Sequence, residues 1–338
     1  MNNFFLDFEK PLVELQQKID ELRTLSADNQ LDVTGEIKSL TQRLEKMRKK
    51  IHTSLTPWQR VQLARHPQRP HALDFMEQLF TDYIELSGDR RFQDDKAVVG
   101  GFAKFGGEPV MAIGTQKGRD MKENMMRNFG WPNPEGYRKA LRLMRLADKA
   151  GVPIITFIDT PGAFPGIASE ERHIAEAIAV NLRDMFALRV PVICVIIGEG
   201  GSGGALGIGV GNRLLIMENA YYSVITPEGC AAILWKDRKF APQAAEALSL
   251  TAKKLLELKV ADEIILEPVG GAHSDPEKAI AEVGKAISRN LKQLKKLDAE
   301  ALKKQRYEKF RAMGSSIAAI SSDAAQAAAE ENGNGADR

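Results

Sequence analysis

The chain has 338 residues, 43% of them hydrophobic, enough for one large domain with appendages or for two domains. Its 47 basic and 45 acidic residues leave a net charge of +2, a small difference that argues against a nucleic-acid partner. No apolar run approaches the ~20 residues of a membrane span, and two scattered cysteines, Cys194 and Cys230, fit a reducing cytoplasm and cannot build a zinc site alone.

The N-terminal Met-Asn-Asn-Phe-Phe-Leu lacks the basic and long apolar regions of a secretory signal. Over residues 10–50, Leu12, Leu15, Ile19 and Leu22, then Ile37, Leu40, Leu44, Met47 and Ile51, recur at helical spacing. Ser26-Ala-Asp-Asn-Gln30 between them reads as a turn, which predicts an antiparallel helical hairpin suited to packing or assembly. Arg43, Lys46, Arg48, Lys49 and Lys50 would form its solvated face. The expected division is a helical arm over 1–70, an α/β core over 71–295, a basic helix over 296–314 and a disordered tail over 315–338.

From Lys96 the apolar period becomes two. Residues 97–105 and 109–116 read as strands joined by Gly106-Gly107, a hairpin signal. A polar, Met-rich, irregular segment follows over 117–133, with Met121, Met125 and Met126 suited to adaptable packing. A helix is expected over 135–150, another over 170–188, and short strands over 213–217 and 221–225. Strands alternating with helices argue for an α/β core with crossovers.

Two consecutive stretches look like copies of one device. Val152-Pro-Ile-Ile-Thr-Phe-Ile-Asp159 leads into Thr-Pro-Gly-Ala-Phe-Pro-Gly166, and Val190-Pro-Val-Ile-Cys-Val-Ile-Ile197 leads into Gly-Glu-Gly-Gly-Ser-Gly-Gly-Ala-Leu-Gly207. Each is an apolar run typical of a strand buried on both faces, followed by a glycine-rich turn into a helix. Glycine lets backbone N–H groups approach a ligand, and a helix N-terminus adds unpaired donors. Two such turns are suited to stabilising oxyanions with main-chain amides.

Other readings stay open. Gly198-Glu-Gly-Gly-Ser-Gly203 matches the dinucleotide pattern G-x-G-x-x-G, with Glu218 beyond it. The segment over 204–212, short and holding Gly204, Gly207, Gly209 and Gly211, is poor material for a long crossover helix. A P-loop lacks its Gly-Lys-Ser/Thr. Ser202 could serve a hydrolase as nucleophile, but His52, His66, His71, His173 and His273 have no spacing that implies a triad. As a plain residue it simply fits a tight turn.

Taken together the chain resembles the carboxyltransferase α subunits of the multisubunit bacterial acetyl-CoA carboxylases. The resemblance rests on both glycine devices and on Ala64-Arg-His-Pro-Gln-Arg-Pro70, Gly88-Asp-Arg90, Gln116-Lys-Gly-Arg119 and Arg127-Asn-Phe-Gly130. It extends through Pro134-Glu-Gly-Tyr-Arg-Lys-Ala-Leu-Arg-Leu-Met144, Ser223-Val-Ile-Thr-Pro-Glu-Gly-Cys230 and Glu267-Pro-Val-Gly-Gly-Ala-His273. It covers residues 4–312 and leaves out the tail.

That resemblance implies a crotonase-like fold, a spiral of strand–strand–helix units. It implies an α2β2 assembly with a β subunit whose zinc ribbon would supply the cysteines lacking here, with activity only in its presence. Biotin carboxyl carrier protein and biotin carboxylase would be further partners. The implied reaction is cytoplasmic transfer of a carboxyl group from carboxybiotin to acetyl-CoA, giving malonyl-CoA as the first committed step of fatty-acid synthesis. Biotin's own nitrogen would take the proton from acetyl-CoA, so no histidine or cysteine is required. On this chain the amides of Gly203, Gly204 and Ala205 would form the oxyanion hole facing biotin. Gly162, Ala163, Phe164 and Gly166 would wall its pocket, unless they are only a tight turn fixed by Pro161 and Pro165. No metal is expected in this chain. Arg138, Arg142, Arg145 and Lys149, spaced 4, 3 and 4 apart, form one helical stripe. The stripe, with Lys117, Arg119 and Arg127, could meet CoA phosphates or be a solvated face.

Overall fold

The computed structural model describes residues 4–29 and 33–314. The tail at 315–338 and the last residue of the expected hairpin turn, Gln30, lie outside the described residues.

The helical spacing near the N-terminus folds into two helices, Lys10–Asn29 and Thr34–Thr53. Leu12, Leu15, Ile19 and Leu44 are buried between them, with Ile37, Leu40, Met47 and Ile51 alongside. Ser26–Asn29, expected to turn, instead continues the first helix. Ser, Asp and Asn cost only tenths of a kcal/mol each in a helix, so propensity alone does not stop it.

Eight strands form one sheet: β1 (Thr81–Glu85), β2 (Val98–Phe105), β3 (Glu108–Thr115), β4 (Ile154–Thr160), β5 (Val192–Gly201), β6 (Arg213–Met217), β7 (Tyr221–Ser223) and β8 (Glu263–Ile265). Their order is β1-β2-β3-β4-β5-β6-β8, and β7 pairs with the far end of β5. The first three run antiparallel, and from β3 onward neighbours are parallel. The β2–β3 hairpin turns at Gly106 (φ 58°) and Gly107 (φ 85°), both left-handed as a two-residue hairpin loop demands.

Every residue of β4 and β5 is buried, as expected for parallel strands covered on both faces. The helix Pro134–Ala150 packs on β2 and β3 and against the helix Ile174–Ala187. The helix Pro276–Leu294 packs on β5 and β8, and Pro57–Ala64 packs on β5 and β7. The last helix, Ala299–Ala312, is fastened by the buried guanidinium of Arg306. It donates to the carbonyls of Met185 (2.7 Å), Leu188 (2.9 Å) and Val190 (3.2 Å) and to Asn212 Oδ1 (2.6 Å).

Three local expectations need correction. The helix expected over 170–188 is two, Ile167–Glu171 and Ile174–Ala187, broken where His173 takes φ 65°. The strand expected over 221–225 ends at Ser223, whose hydroxyl donates to the Ile225 carbonyl (2.8 Å) and turns the chain. Thr226 then caps the helix Pro227–Leu234. The segment over 117–133 is not wholly irregular: Asp120 caps a short helix, Met121–Met126, by accepting from the Glu123 amide (2.8 Å). Two elements lie outside the sequence expectations: the helix Ala72–Leu79, although Ala72, Phe75, Met76 and Leu79 recur at helical spacing, and β1, whose residues are mostly exposed.

Candidate active site

β4 and β5 are parallel neighbours, paired from Ile154↔Val192 to Ile158↔Ile196, so both glycine turns leave the sheet at the same end. The carboxyl ends of parallel strands are where open α/β sheets place their ligands. The turns touch backbone to backbone. A Cβ on Gly201 would lie 2.0 Å from the Pro161 carbonyl oxygen, and one on Gly204 would lie 2.4 Å from the Gly162 carbonyl carbon. These glycines therefore serve close approach between the two turns. Gly203 differs, because a Cβ there would meet nothing nearer than Ile178 at 3.7 Å.

Gly203 and Gly204 fall in the first turn of the five-residue helix Ser202–Leu206, where amides have no intrahelical acceptor. Ala205 is fully buried. Across from them, the Gly162 amide donates to Thr160 Oγ1 (3.1 Å), and that hydroxyl reaches the Gly130 carbonyl (2.7 Å). The Phe164 amide donates to the Pro132 carbonyl (2.9 Å). Trp131 stands against Gly162, and the Phe164 ring folds back over Gly166, where a Cβ would come within 2.4 Å of it. Ala163 packs against the cluster of Tyr137, Ile174 and Ala177. Gly162, Ala163, Phe164 and Gly166 thus form a braced loop beside the Gly203–Ala205 turn.

Behind the turns lies a buried ionic network. Lys117 donates to Asp159 Oδ1 and to Glu199 Oε1, both at 2.7 Å. Glu199 Oε2 accepts from Arg65 Nε (2.7 Å) and from the Tyr221 hydroxyl (2.6 Å). Burial alone would push the Glu199 carboxyl up, but Lys117 and Arg65 outweigh it and hold it at about 2. Burial likewise opposes charge on Lys117, and the two carboxylates still raise its pKa above the ordinary lysine range. Arg69 is also buried, donating to both Glu267 oxygens (3.1 and 2.6 Å) and to the Ile197 carbonyl in the middle of β5 (2.6 Å).

Sequence reading missed Asp159, Glu199, Arg65 and Tyr221 as a unit. The available signal was a carboxylate at the end of each all-apolar run, where a lone charge needs a partner. Several of the segments that carry the family resemblance meet here, among them those at 64–70, 116–119, 223–230 and 267–273. Arg65 also pairs with Glu228, and His66 stacks on His273 with ring centroids 3.6 Å apart.

The arginine stripe divides. Arg138 is largely buried and donates to Asp89 Oδ2 (2.8 Å), Glu135 Oε1 (3.0 Å) and the Arg172 carbonyl (3.1 Å). Arg142 donates to the carbonyls of Gly88, Leu86 and Ser87. Arg145, 57% exposed, pairs with Asp184, and Lys149 is exposed. With Arg90 and Arg91 the three arginines line a cavity of about 270 Å³. Arg119 lies elsewhere, donating to the Arg69 carbonyl (2.9 Å) and pairing with Asp74. Lys117 and Arg127 are not on an open rim, since Arg127 is taken up by Glu123 and the Lys96 carbonyl.

The dinucleotide and hydrolase readings find no support. The glycine motif feeds a helix of five residues, too short for a crossover that carries a pyrophosphate site. Ser202 takes φ 56°, and among the described residues no histidine is hydrogen-bonded to it. His52, His66 and His273 gather at the arm, where His52 lies 3.6 Å from Glu9 and His66 Nε2 meets the Phe4 carbonyl. No group of three or more His, Cys, Asp or Glu among the described residues is arranged to hold a metal ion. No described helix is long and apolar enough to cross a membrane.

Residues 5–314 match the family described as acetyl co-enzyme A carboxylase carboxyltransferase-like. The acetyl-coenzyme A carboxylase carboxyl transferase subunit alpha of Syntrophotalea carbinolica is 60% identical over 311 residues, covering 92% of this chain and 98% of that protein. Its counterpart of the same description from Thermus thermophilus is 57% identical over 309 residues, covering 91% and 98%. Among solved structures, transcarboxylase 12S superposes with a TM-score of 0.55 at 18% identity, covering 70% of this chain and 44% of that one, a likeness of fold. The crotonase-like α/β fold expected from the sequence is the one observed. The chain belongs to the acetyl co-enzyme A carboxylase carboxyltransferase-like family.

Proposed function

We propose that this chain is the α half of a carboxyltransferase that moves a carboxyl group from carrier-bound carboxybiotin to acetyl-CoA, giving malonyl-CoA for fatty-acid synthesis in the cytoplasm. The observation that carries the reading is the pair of touching glycine turns, with Gly203 left open at the start of a helix. Main-chain N–H groups there suit an oxygen that gains negative charge as a carboxyl group departs.

The fit to biotin rests on two features. Gly203 is open where its neighbours are packed, and Trp131, Phe164 and Ile178 stand around the turns as an apolar wall. When bound, biotin supplies a ureido ring that carries the carboxyl group and afterwards accepts a proton. This chain's part is to hold that ring's oxygen with the amides of Gly203, Gly204 and Ala205. Gly162, Ala163, Phe164 and Gly166 shape the wall. Glu199 and Asp159 are tied up by Lys117, so neither offers a free base, which suits a reaction whose proton acceptor comes with the substrate.

For CoA phosphates Arg145 is the best placed of Arg119, Arg138, Arg142 and Arg145, because Arg138 and Arg142 already satisfy internal carbonyls and carboxylates. The reading includes a β subunit bearing a zinc ribbon in an α2β2 assembly, with biotin carboxyl carrier protein and biotin carboxylase as further partners.

The test is reconstitution with a candidate β subunit, following malonyl-CoA-dependent carboxylation of free biotin. Turnover is expected from the mixture and none from this chain alone, which should also purify without stoichiometric zinc. Turnover by the isolated chain, or one zinc per chain, counts against the proposal.

A further inference from the structure

The geometry points to Lys117 as a positioning residue that locks the two glycine turns together, an inference that rests on the carboxyl-transfer reading above. Asp159 is the penultimate residue of β4 and Glu199 lies two residues before the end of β5, so each carboxylate immediately precedes its turn. Lys117 belongs to neither strand. It reaches in from the segment after β3 and donates to Asp159 Oδ1 and Glu199 Oε1, each at 2.7 Å. Side-chain exposures of 15% for Lys117, 3% for Asp159 and 7% for Glu199 keep solvent from screening these pairs.

A second observation places the clamp where the sheet itself gives out. The β4–β5 ladder runs in register from Ile154↔Val192 to Ile158↔Ile196, then slips before Thr160↔Gly200. At the slip, regular strand pairing no longer fixes one turn against the other. There Asp159 Oδ1 accepts both the Lys117 ammonium and the Glu199 amide, the latter at 2.9 Å. The ionic bridge thus takes over from the ladder and sets the spacing between the Gly162 loop and the Gly203 turn. Glu199 is held on its other oxygen by Arg65 and Tyr221, so the clamp is anchored to the Pro57–Ala64 helix end and to β7 as well.

The test uses the chain reconstituted with its β subunit in the free-biotin assay. Lys117→Met alone would strand two buried carboxylates and risk misfolding. Lys117→Met with Asp159→Asn removes one charge of each sign and leaves Glu199 with Arg65 and Tyr221. This double variant is expected to assemble with a melting temperature close to wild type. Its kcat should fall ~10-fold or more, since positional errors of about 1 Å at such sites cost up to ~10²-fold. The KM values for biotin and malonyl-CoA should stay within about twofold, as expected for a change felt in the transition state. Lys117→Arg, which keeps both ion pairs, should recover most of kcat. An unchanged kcat in the assembled double variant overturns the proposal, as does a rise in KM with kcat intact, which would make Lys117 a ligand contact. If the double variant fails to assemble, Glu199→Gln provides the same split at smaller size, and unchanged kcat there overturns the proposal equally. Absence of turnover in the wild-type assembly sinks the carboxyl-transfer reading instead, and this proposal with it.

Discussion

The junction of the glycine turns and the N-terminal arm are both ordered by few residues, in opposite ways. At the turns, backbone contacts that only glycine permits are combined with charges buried in mutual pairs. In the arm, an apolar seam of Leu12, Leu15, Ile19 and Leu44 holds two helices that contact chiefly each other. The arm meets the rest of the chain partly through histidines held neutral by burial. At Gly201 and Gly204 the first region has no room for an added atom. The second tolerates polar change on its outside and is sensitive to deletion inside and to acid. Rigidity in this molecule is therefore concentrated where the family's chemistry is proposed to occur.

The sharpest break of this contrast is Gly204→Ala. Its methyl group would have to enter the Gly162–Ala163 backbone, so the turns must part. Reconstituted turnover should drop ~10²-fold or more, the scale of losing an oxyanion donor, while Gly203→Ala should stay within ~10-fold of wild type. Equal effects in the two variants would dissolve the distinction between the packed and the open glycine. Ser202→Ala should retain a large part of the activity, and loss of turnover in a normally assembled variant would revive the hydrolase reading.

For the arm, Ile19→Ala deletes a side chain only 1% exposed and should cost ~2–5 kcal/mol of local stability. Amide exchange should accelerate across Lys10–Asn29 and Thr34–Thr53 and leave β4 and β5 at wild-type rates. Acceleration in both regions would show that the arm and the sheet unfold as one unit.

Acid should separate the regions more gently. Burial lowers the pKa of His52, His66 and His273, the last to about 3, so below 6.5 the unfolded state binds more protons than the folded one. Their contribution is intact above that value and is lost progressively as pH falls below it toward the lowered folded-state values. The neighbouring Glu9, raised by burial, shifts in the opposite sense and offsets part of this loss at lower pH. Glu199 is depressed to about 2, so its contribution is lost only as pH falls from 4.5 toward 2. Between about pH 7.5 and about pH 5.5, exchange in the arm should quicken while that of the turns holds. The reverse order would contradict the contrast.

The smallest effect is expected at Arg145, exposed and, among the described residues, paired only with Asp184. Arg145→Ala should raise the KM for the CoA substrate about two- to fivefold at low salt, shrinking as salt rises, with kcat unchanged. Arg138→Ala should instead lower the melting temperature, since it uncovers Asp89 and Glu135. A KM effect of equal size at both positions would restore the uniform stripe.

Much of the fold is legible in the chain because local pattern and tertiary demand agree. The hairpin at Gly106-Gly107, the all-apolar β4 and β5, the helix Pro134–Ala150 closed by Gly151 at φ 70°, and the seam of the arm each follow from period and turn chemistry. Where they disagree, sequence misleads. His173 breaks a continuous helical pattern, Ser223 ends a strand early through its own hydroxyl, and β1 forms from mostly exposed residues by pairing with β2.

The site divides along the same line. The amino-acid order by itself determined that two apolar strands would end in glycine turns and that no thiol or histidine pattern offers an alternative chemistry, because these are local properties of a few adjacent residues. Tertiary structure decided which glycines touch a neighbour and which stay open, and that Arg138 and Arg142 face inward. It also joined Lys117, Asp159, Glu199 and Arg65, separated by up to 134 positions, into one network. The physical reason is that a buried charge is specified by its partner, and only the folded chain brings that partner within 3 Å.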